Sequence, residues 1–580
     1  MSFRAPVRDI AHALSVVGFD GLRDLPAFAE LDEGTTSAVL DAAGAFTSER
    51  LAPLNRVGDT VGARYENGAV FSPPGFPQAY RDFAAGGWCG LSAELEYGGQ
   101  GLPKALELAV YEMVHSANLA FGLCPVLNVG AIEALQEAGS ARQKSLFLPP
   151  LIDGRWTGTM NLTEPQAGSD LAALTARAEP AGEGRYKLYG EKIFITWGEH
   201  DVADNIVHLV LARLPGAPAG VKGISLFIAP KFLVGEDGKT GARNGLRAAS
   251  IEHKLGIHAS PTCVMLYDGA EAELLGQANE GLAVMFVMMN AARLQVGMQG
   301  VGIGEMAYQR ALTYALERKQ GRAAMSKEYP ARIFDHPEVR RSLLLMKAQV
   351  EAARAIVLMA GVFLDRARHG QSKEDRAAAQ ARADLLTPIA KAWSTDMGVA
   401  VASAGLQVHG GMGFIEETGA AQYYRDARIT PIYEGTNAIQ ANDLVGRKLG
   451  DGGDAALALI AEIAADAKAA RADARLGAVA SYLDAAAMAL EKATHWQLAH
   501  RGADGLAGAS AYLALFGDTL GGWLLLRGAR QAPDGAGDRN RIVLAELFAT
   551  QILSLAPGRA EAAMTGAAAL SAIDAEALIA

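Results

Sequence analysis

A single carboxylate, Glu434, lies among small and apolar neighbours. Thr430-Pro431-Ile432-Tyr433 precede it and Gly435-Thr436-Asn437-Ala438-Ile439 follow. A glycine directly after it lets backbone, ligand or cofactor come close. Apolar surroundings disfavour the ionised form and push a carboxylate's pKa up toward working pH. That is the preparation a general base needs to take a weakly acidic proton. The same residues also suit a turn whose glutamate faces water or caps a helix, because an unusual carboxylate marks a site only statistically.

Two other stretches have the chemistry of a ligand cradle. Met160-Asn161-Leu162-Thr163-Glu164-Pro165-Gln166-Ala167-Gly168-Ser169-Asp170 combines hydroxyls with a Gly/Pro-bearing loop. Its free N–H groups suit the polar edge of a planar heterocycle or a phosphate. An ordinary polar loop with a helix cap at Ser169 or Asp170 has the same composition. Lys192-Ile193-Phe194-Ile195-Thr196-Trp197-Gly198 offers aromatic faces and a hydroxyl, or simply a half-buried strand. Gly300-Val301-Gly302-Ile303-Gly304 resembles a dinucleotide loop in spacing. It falls inside a helical pattern with no strand before it, so close helix packing is the better reading. The chain has no GxSxG elbow, so His409-Gly410-Gly411 is not read as a hydrolase loop, and it has no HExxH or Walker A sequence.

These stretches must be positioned by several structural units, since 580 residues exceed what one core serves. Residues 1 to about 160 have helical texture, with amphipathic runs opening at Thr35-Thr36-Ser37 and over Ala105 to Leu119. Another run, Ser140 to Leu148, is expected to end at Pro149-Pro150. From Trp156 to Asp268 short β-rich runs alternate with Gly, Pro and Asp: 186–188, 192–196, 205–211, 223–228 and 262–267. No helical period separates them, which disfavours a parallel dinucleotide-binding sheet. Long apolar-periodic segments return over 285–317, 338–369 and 375–404, as in a bundle of near-antiparallel helices. Gly450 to Asp454 is expected to link to an Ala-rich helical tail with a loop at Pro533 to Gly537.

A net charge of −11 and a pI near 5.6 argue against a nucleic-acid binder. Cys89, Cys124 and Cys263 are widely spaced, so neither a disulfide framework nor a zinc site is expected. The start, Met1-Ser2-Phe3-Arg4-Ala5-Pro6, lacks a signal-peptide pattern, and the greasy stretch from Gly281 to Met289 reads as too short to span a bilayer. The expectation is a cytoplasmic, bacterial-type protein without membrane association.

In order, the chain carries LTEPQAGSD, GEKIFITWG, NAARLQVGMQGVG, ERKQG, LQVHGGMGF, YRDARITPIYEGTN and IQANDLVGRKL. Over roughly residues 35 to 450 it resembles the acyl-CoA dehydrogenase family. The resemblance implies an α+β multidomain fold: an N-terminal α-helical domain (1–158), a middle β domain (159–280), a C-terminal four-helix bundle (281–450) and an additional helical domain (455–580). It implies FAD as cofactor and Glu434 as the base that takes the α-proton of an acyl-CoA. By the same resemblance, Leu162, Thr163 and Ser169 lie at the flavin edge, and Phe194 and Thr196 cover and bond the flavin. Family members often carry Trp where Phe194 stands. Arg318, Gln320, Gln407 and Gly411 match segments that reach the FAD of a neighbouring subunit, and Thr436 matches a pyrophosphate contact. Ala438 replaces a Gln found in many relatives. Ser169, Asn290 (Asp elsewhere), Arg293, Tyr433 and Gly435 fall on the substrate side.

The N-terminal start, the ITPIYEGTN form of the base motif and the extension past 450 resemble a longer bacterial subgroup. Some of its members act on 3-methylmercaptopropionyl-CoA, a dimethylsulfoniopropionate breakdown intermediate, and others on medium- or long-chain fatty acyl-CoA. The resemblance further implies an electron-transfer flavoprotein as acceptor, with O2 as the alternative, and a homo-oligomer of at least two copies. A helical interaction protein that has kept the fold without turnover is the reading of another class. The tail either packs on the bundle or rests on a membrane. Its mixed acids and bases favour packing, since a membrane-surface helix needs a basic face.

Overall fold

Glycine spacing decides how the central helices meet. In a computed structural model, which describes residues 3–531 and 536–579, the N-terminal layer contains α1 (Val7–Val16), α2 (Glu33–Phe46), α3 (Ala52–Val61), a hairpin of β1 (Arg64–Glu66) and β2 (Ala69–Phe71), α4 (Phe76–Ala85), α5 (Lys104–Ala117), α6 (Leu119–Ala138) and α7 (Ala141–Ile152). Helix α2 begins before Thr35, because Asp32 caps it by accepting the Thr35 N–H at 2.6 Å. The run expected over 105–119 is two helices. Asn118 ends α5 and caps α6 through the Phe121 N–H at 3.1 Å. Helix α7 opens with a Ser140/Gln143 capping box but does not stop at Pro149. The prolines fall in its last turns, where two donors are lost, and burial of Leu151 and Ile152 carries the helix on.

The β unit comprises β3 (Trp156–Asn161), β4 (Arg177–Gly182), β5 (Arg185–Thr196), β6 (Asn205–Arg213), β7 (Ile224–Pro230), β8 (Phe232–Val234), β9 (Thr240–Arg243), β10 (Leu246–Ile251) and β11 (Thr262–Leu275). The two runs read at 186–188 and 192–196 are one strand, β5, paired antiparallel with most of β11. Seven strands form the main sheet, and β7 pairs with both β11 and β6, so the sheet curls on itself. Most pairings are antiparallel, with β3–β6 and the short β4–β6 contact parallel. Strand β6 (NIVHLVLAR) is buried on both faces almost to its end, which explains its unbroken apolar run.

The bundle is built from α8 (Gly281–Glu317), α9 (Pro337–His369) and α10 (Lys373–His409), followed by α11 (Ala420–Ala427) and α12 (Asn437–Asp443). Gly297 faces the carbonyl of Ala390 and Gly300 that of Ser394, where an added Cβ would lie 2.7 and 2.3 Å away. The contacts advance together along both helices, so α8 and α10 run parallel and very close. Gly302 faces His115 and Ser116 of α5, where a Cβ would meet atoms at 2.8 Å. The Gly300–Gly304 motif is thus a helix-packing device.

The tail contains α13 (Asp454–Ala470), α14 (Gly477–Ala499), α15 (Ala503–Gln531), α16 (Ala536–Gln551), α17 (Ala556–Ala563) and α18 (Ala568–Ser571). Of the loop expected at 533–537, residues 533–535 lie outside the described residues, while 536 and 537 begin α16. The connection at 450–453 does not leave the tail loose. Arg501 donates to the carbonyls of Val445 (2.7 Å) and Leu449 (2.9 Å). The expectation that no apolar stretch reaches membrane-spanning length is corrected. Leu119–Ala138, Gly281–Glu317, Ala503–Gln531 and Arg539–Ala563 are long and apolar enough by length and composition. In the first three the apolar window is 94%, 61% and 83% buried within the protein, and in the fourth 33%.

Candidate active site

Glu434 occupies a turn between α11 and α12 with a left-handed φ of 56°, followed by Gly435 at φ 84°. A side chain at 435 would also collide with Gln440, whose Nε2 lies 2.7 Å from the added Cβ. The turn is tied at several points. Gln440 donates to the Glu434 carbonyl (3.2 Å), and Arg293 of α8 reaches the same oxygen at 3.4 Å. Lys391 of α10 donates to the Gly435 carbonyl (2.9 Å) and to Asn437 Oδ1 (2.8 Å). Thr436 caps α12 by accepting the Ile439 N–H at 3.3 Å. Arg293 also donates to Asn290 Oδ1 at 3.1 Å. Tyr433 donates its hydroxyl to Gln299 Oε1 in a short hydrogen bond.

This packing sets the chemistry of the carboxylate. Burial raises Glu434 to a pKa of about 7, against the opposing pull of Arg293 and Lys391. A carboxylate at that value is a competent proton acceptor near neutral pH. Of the residues singled out in the sequence, Asn290, Arg293, Tyr433, Glu434, Gly435 and Thr436 therefore come together. Lys391, Gln299 and Gln440 escaped notice. Lys391 alone carried a signal, a lysine inside the apolar run Ile389-Ala390-Lys391-Ala392-Trp393.

A second group lies on the β unit. Glu164 shapes the loop that holds Leu162, Thr163 and Ser169. It accepts from Lys192 Nζ (2.8 Å), the N–H of Thr175 (2.8 Å) and the N–H of Ala176 (3.0 Å). Burial would raise this carboxyl, but Lys192 and Thr175 outweigh it and leave the pKa at about 2. Lys192 also holds the Leu162 carbonyl at 3.0 Å, and Ile193 N–H donates to Thr163 O at 2.9 Å. The result presents Leu162, Thr163 and Thr196 half-buried and Ser169 exposed. Phe194, at φ 59°, is 59% exposed. An outward-facing ring beside a hydroxyl, on a loop anchored from below, fits the face and edge of an isoalloxazine. Among the described residues no hydrogen bond joins this group directly to the Glu434 turn.

The third group is remote. Arg318 and Gln320 follow the C-terminus of α8, while Gln407 lies in the last turn of α10 and Gly411 just beyond it, and all four are exposed. Tyr314 stacks on His409 with centroids 4.5 Å apart, which joins the two helix ends. At 1.5 Å per residue these ends lie roughly 36 Å beyond Arg293 and 27 Å beyond Lys391.

A helical layer, a curled β unit and a long-helix bundle are the architecture of the acyl-CoA dehydrogenases. Family models for the acyl-CoA dehydrogenase N-terminal, middle and C-terminal domains match residues 34–155, 159–270 and 279–449, and one for an acetyl-CoA dehydrogenase C-terminal-like domain matches 459–574. The chain belongs to the acyl-CoA dehydrogenase family, FAD-dependent enzymes acting on the CH–CH bond of acyl-CoA. It is 48% identical over 567 residues to the 3-methylmercaptopropionyl-CoA dehydrogenase of Ruegeria pomeroyi, covering 95% of this chain and 96% of that protein. A butyryl-CoA dehydrogenase of Syntrophomonas wolfei is 36% identical over 71% of this chain and 69% of its own length. An acyl-CoA dehydrogenase complexed with FAD from Bacillus anthracis has the same fold, with a TM-score of 0.75, 21% identity and coverage of 92% of this chain and 88% of that one.

Proposed function

We propose that the chain oxidises 3-methylmercaptopropionyl-CoA to its α,β-unsaturated thioester, with Glu434 taking the α-proton. The observation that carries the role of Glu434 is its position: a half-buried carboxyl, desolvated enough to be raised to about 7, on a turn tied from α8, α10 and α12. FAD, when bound, supplies the acceptor for the hydride that leaves the β-carbon. Phe194, Thr196, Leu162 and Thr163 would hold its ring, and Ser169 would border the thioester. Arg293 and Asn290 would serve the CoA side. Arg318, Gln320, Gln407 and Gly411 stand too far along the bundle to serve the same chain's Glu434 turn, which supports a dimer in which each copy completes the other's cofactor site. An electron-transfer flavoprotein is the acceptor that family membership favours. The burial of three of the four long apolar helices supports a protein that works in solution.

One observation supports the substrate. Similarity to the Ruegeria pomeroyi enzyme runs through the tail, whereas similarity to the butyryl-CoA enzyme spans 71% of the chain. The test is kcat/KM across 3-methylthiopropionyl-CoA, its isostere pentanoyl-CoA, and butyryl- to palmitoyl-CoA. The thioether substrate should exceed the long chains by at least about 10-fold, since each misfitting methylene costs 10-fold or more. A maximum at octanoyl-CoA or longer would make the chain a fatty acyl-CoA dehydrogenase instead.

A further inference from the structure

Lys391 is fully buried on α10, directly behind the turn that carries Glu434. Its three ammonium hydrogens have two acceptors on that turn, the Gly435 carbonyl at 2.9 Å and Asn437 Oδ1 at 2.8 Å. Asn437 is itself fixed, since its Nδ2 donates to the Ala392 carbonyl (3.1 Å), Thr395 Oγ1 (3.0 Å) and Asp396 Oδ1 (2.8 Å). The α10 backbone is in turn pressed against α8 at Gly297 and Gly300, so the lysine is held by a rigid support. Glu434 has a left-handed φ, a conformation that a non-glycine residue keeps only where the surroundings over-determine it, while Gly435 adopts its own left-handed φ freely. Lys391 supplies one such constraint and, among the described residues, the one that reaches the turn from α10 at both Gly435 and Asn437.

We propose that Lys391 is a positioning residue for the base, pinning the Glu434 turn and supplying the buried positive charge that keeps its carboxylate available near neutral pH. The charges around the pair come from each packed element. Arg293 of α8 faces both groups, Asp396 lies one turn beyond Lys391 on α10, and Arg428 faces Asp396. Tyr433 neighbours the base within its own turn, and Asp443 and Arg447 face Arg293 from the far side. Burial lowers Lys391 to about 7, with Glu434 and Asp396 opposing, so its charge and that of the base respond to each other.

The inference rests on Glu434 being the base, and the experiment separates the two. FAD-loaded Lys391→Met, Lys391→Gln, Lys391→Arg and wild-type proteins are assayed for kcat and KM with butyryl-CoA or 3-methylthiopropionyl-CoA from pH 5.5 to 9.5. Removing a cation near a carboxylate raises the carboxyl's pKa by one unit or more. The acid limb of kcat/KM should therefore move up by about one pH unit in Lys391→Met and Lys391→Gln and stay near the wild-type position in Lys391→Arg. On the alkaline plateau kcat should fall more than KM rises, because the turn and not the CoA grip is loosened. Lys391→Gln covers the case in which the methionine variant does not fold. An unmoved acid limb in the neutral variants, or the same shift in Lys391→Arg, overturns the proposal. Flavin bleaching by substrate in Glu434→Gln would overturn the base itself, whatever the lysine variants do.

Discussion

A glutamate held at φ 56° costs on the order of 1–3 kcal/mol of backbone strain. The Glu434 turn persists because Arg293 and Gln440 share the Glu434 carbonyl and Lys391 takes that of Gly435. A second cost is electrostatic. With its pKa raised from 4.5 to about 7, the native protein holds this proton where the unfolded chain has released it. The stability associated with the protonated group is complete below about pH 4.5 and is lost as pH rises through about 7. Glu434→Gln, which cannot ionise, should therefore equal wild type in stability at pH 4.5 and exceed it above pH 7, by about 1–3 kcal/mol. Denaturant melts of the flavin-loaded proteins at both pH values check this, and a gap that shrinks with rising pH would contradict it. The same variant should keep FAD and acyl-CoA but lose substrate-driven flavin bleaching by about 10²–10⁴-fold.

Between elements, the unusual feature is a buried charge cluster where α1, α5, α8 and α9 meet. Arg354 of α9 is completely buried and donates Nε to both oxygens of Glu112 on α5 (2.8 and 2.9 Å) and Nη2 to Glu305 on α8 (2.8 Å). Lys347 then links Glu305 to Asp9 of α1, at 3.5 and 2.7 Å. Another long-range cap belongs to α5. Asp365 of α9 accepts the N–H groups of Lys104 (2.7 Å) and Ala105 (3.0 Å), in place of a capping residue at Pro103. Arg354→Met removes one partner from two buried carboxylates and should cost about 3–5 kcal/mol, because desolvated charges are left unpaired. Equilibrium unfolding measures it, and a loss below 1 kcal/mol would show the cluster to be electrostatically idle.

For the whole molecule, the tail is a structural part of the bundle. Trp393 of α10 donates its indole N–H to Asp518 of α15 at 2.9 Å, and Arg559 closes on the same carboxylate at 2.8 Å. Gly517 leaves the room that Trp393 fills, since a Cβ there would lie 2.3 Å from the ring. The exposed ends of α8 and α10 bear on the proposed assembly. Arg318→Ala should weaken FAD retention and leave the rate of flavin reduction within about 3-fold of wild type in molecules that keep FAD. Flavin content after gel filtration, together with the sedimentation coefficient of the variant against wild type, decides between this and a role in chemistry. A fully flavinated Arg318→Ala protein that fails only in reduction would remove the residue from the cofactor site.

Local patterns determined much of this protein. Long 3.6-residue periodicity placed α8, α9 and α10 because each must bury an apolar stripe, and short β-rich runs bounded by glycine, proline and aspartate placed β6, β7, part of β11 and two pieces of β5. The motif around Glu434 was legible because a carboxylate in an apolar, glycine-bearing turn is chemically conspicuous. Side chains whose role depends on an element distant in sequence were not legible. Lys391 lies 43 positions before Glu434, Gln299 lies 134 before Tyr433, and Asp365 caps a helix 261 positions earlier. The proline-containing end of α7 and the early start of α2 were likewise settled by burial and by a cap. Residue type and period act within one or two turns of chain, whereas desolvation and charge pairing depend on what is packed alongside. The direction of the shift at Glu434 was legible from its apolar neighbours, whereas the tertiary structure alone decided that it reaches about 7 and which cation stands behind it.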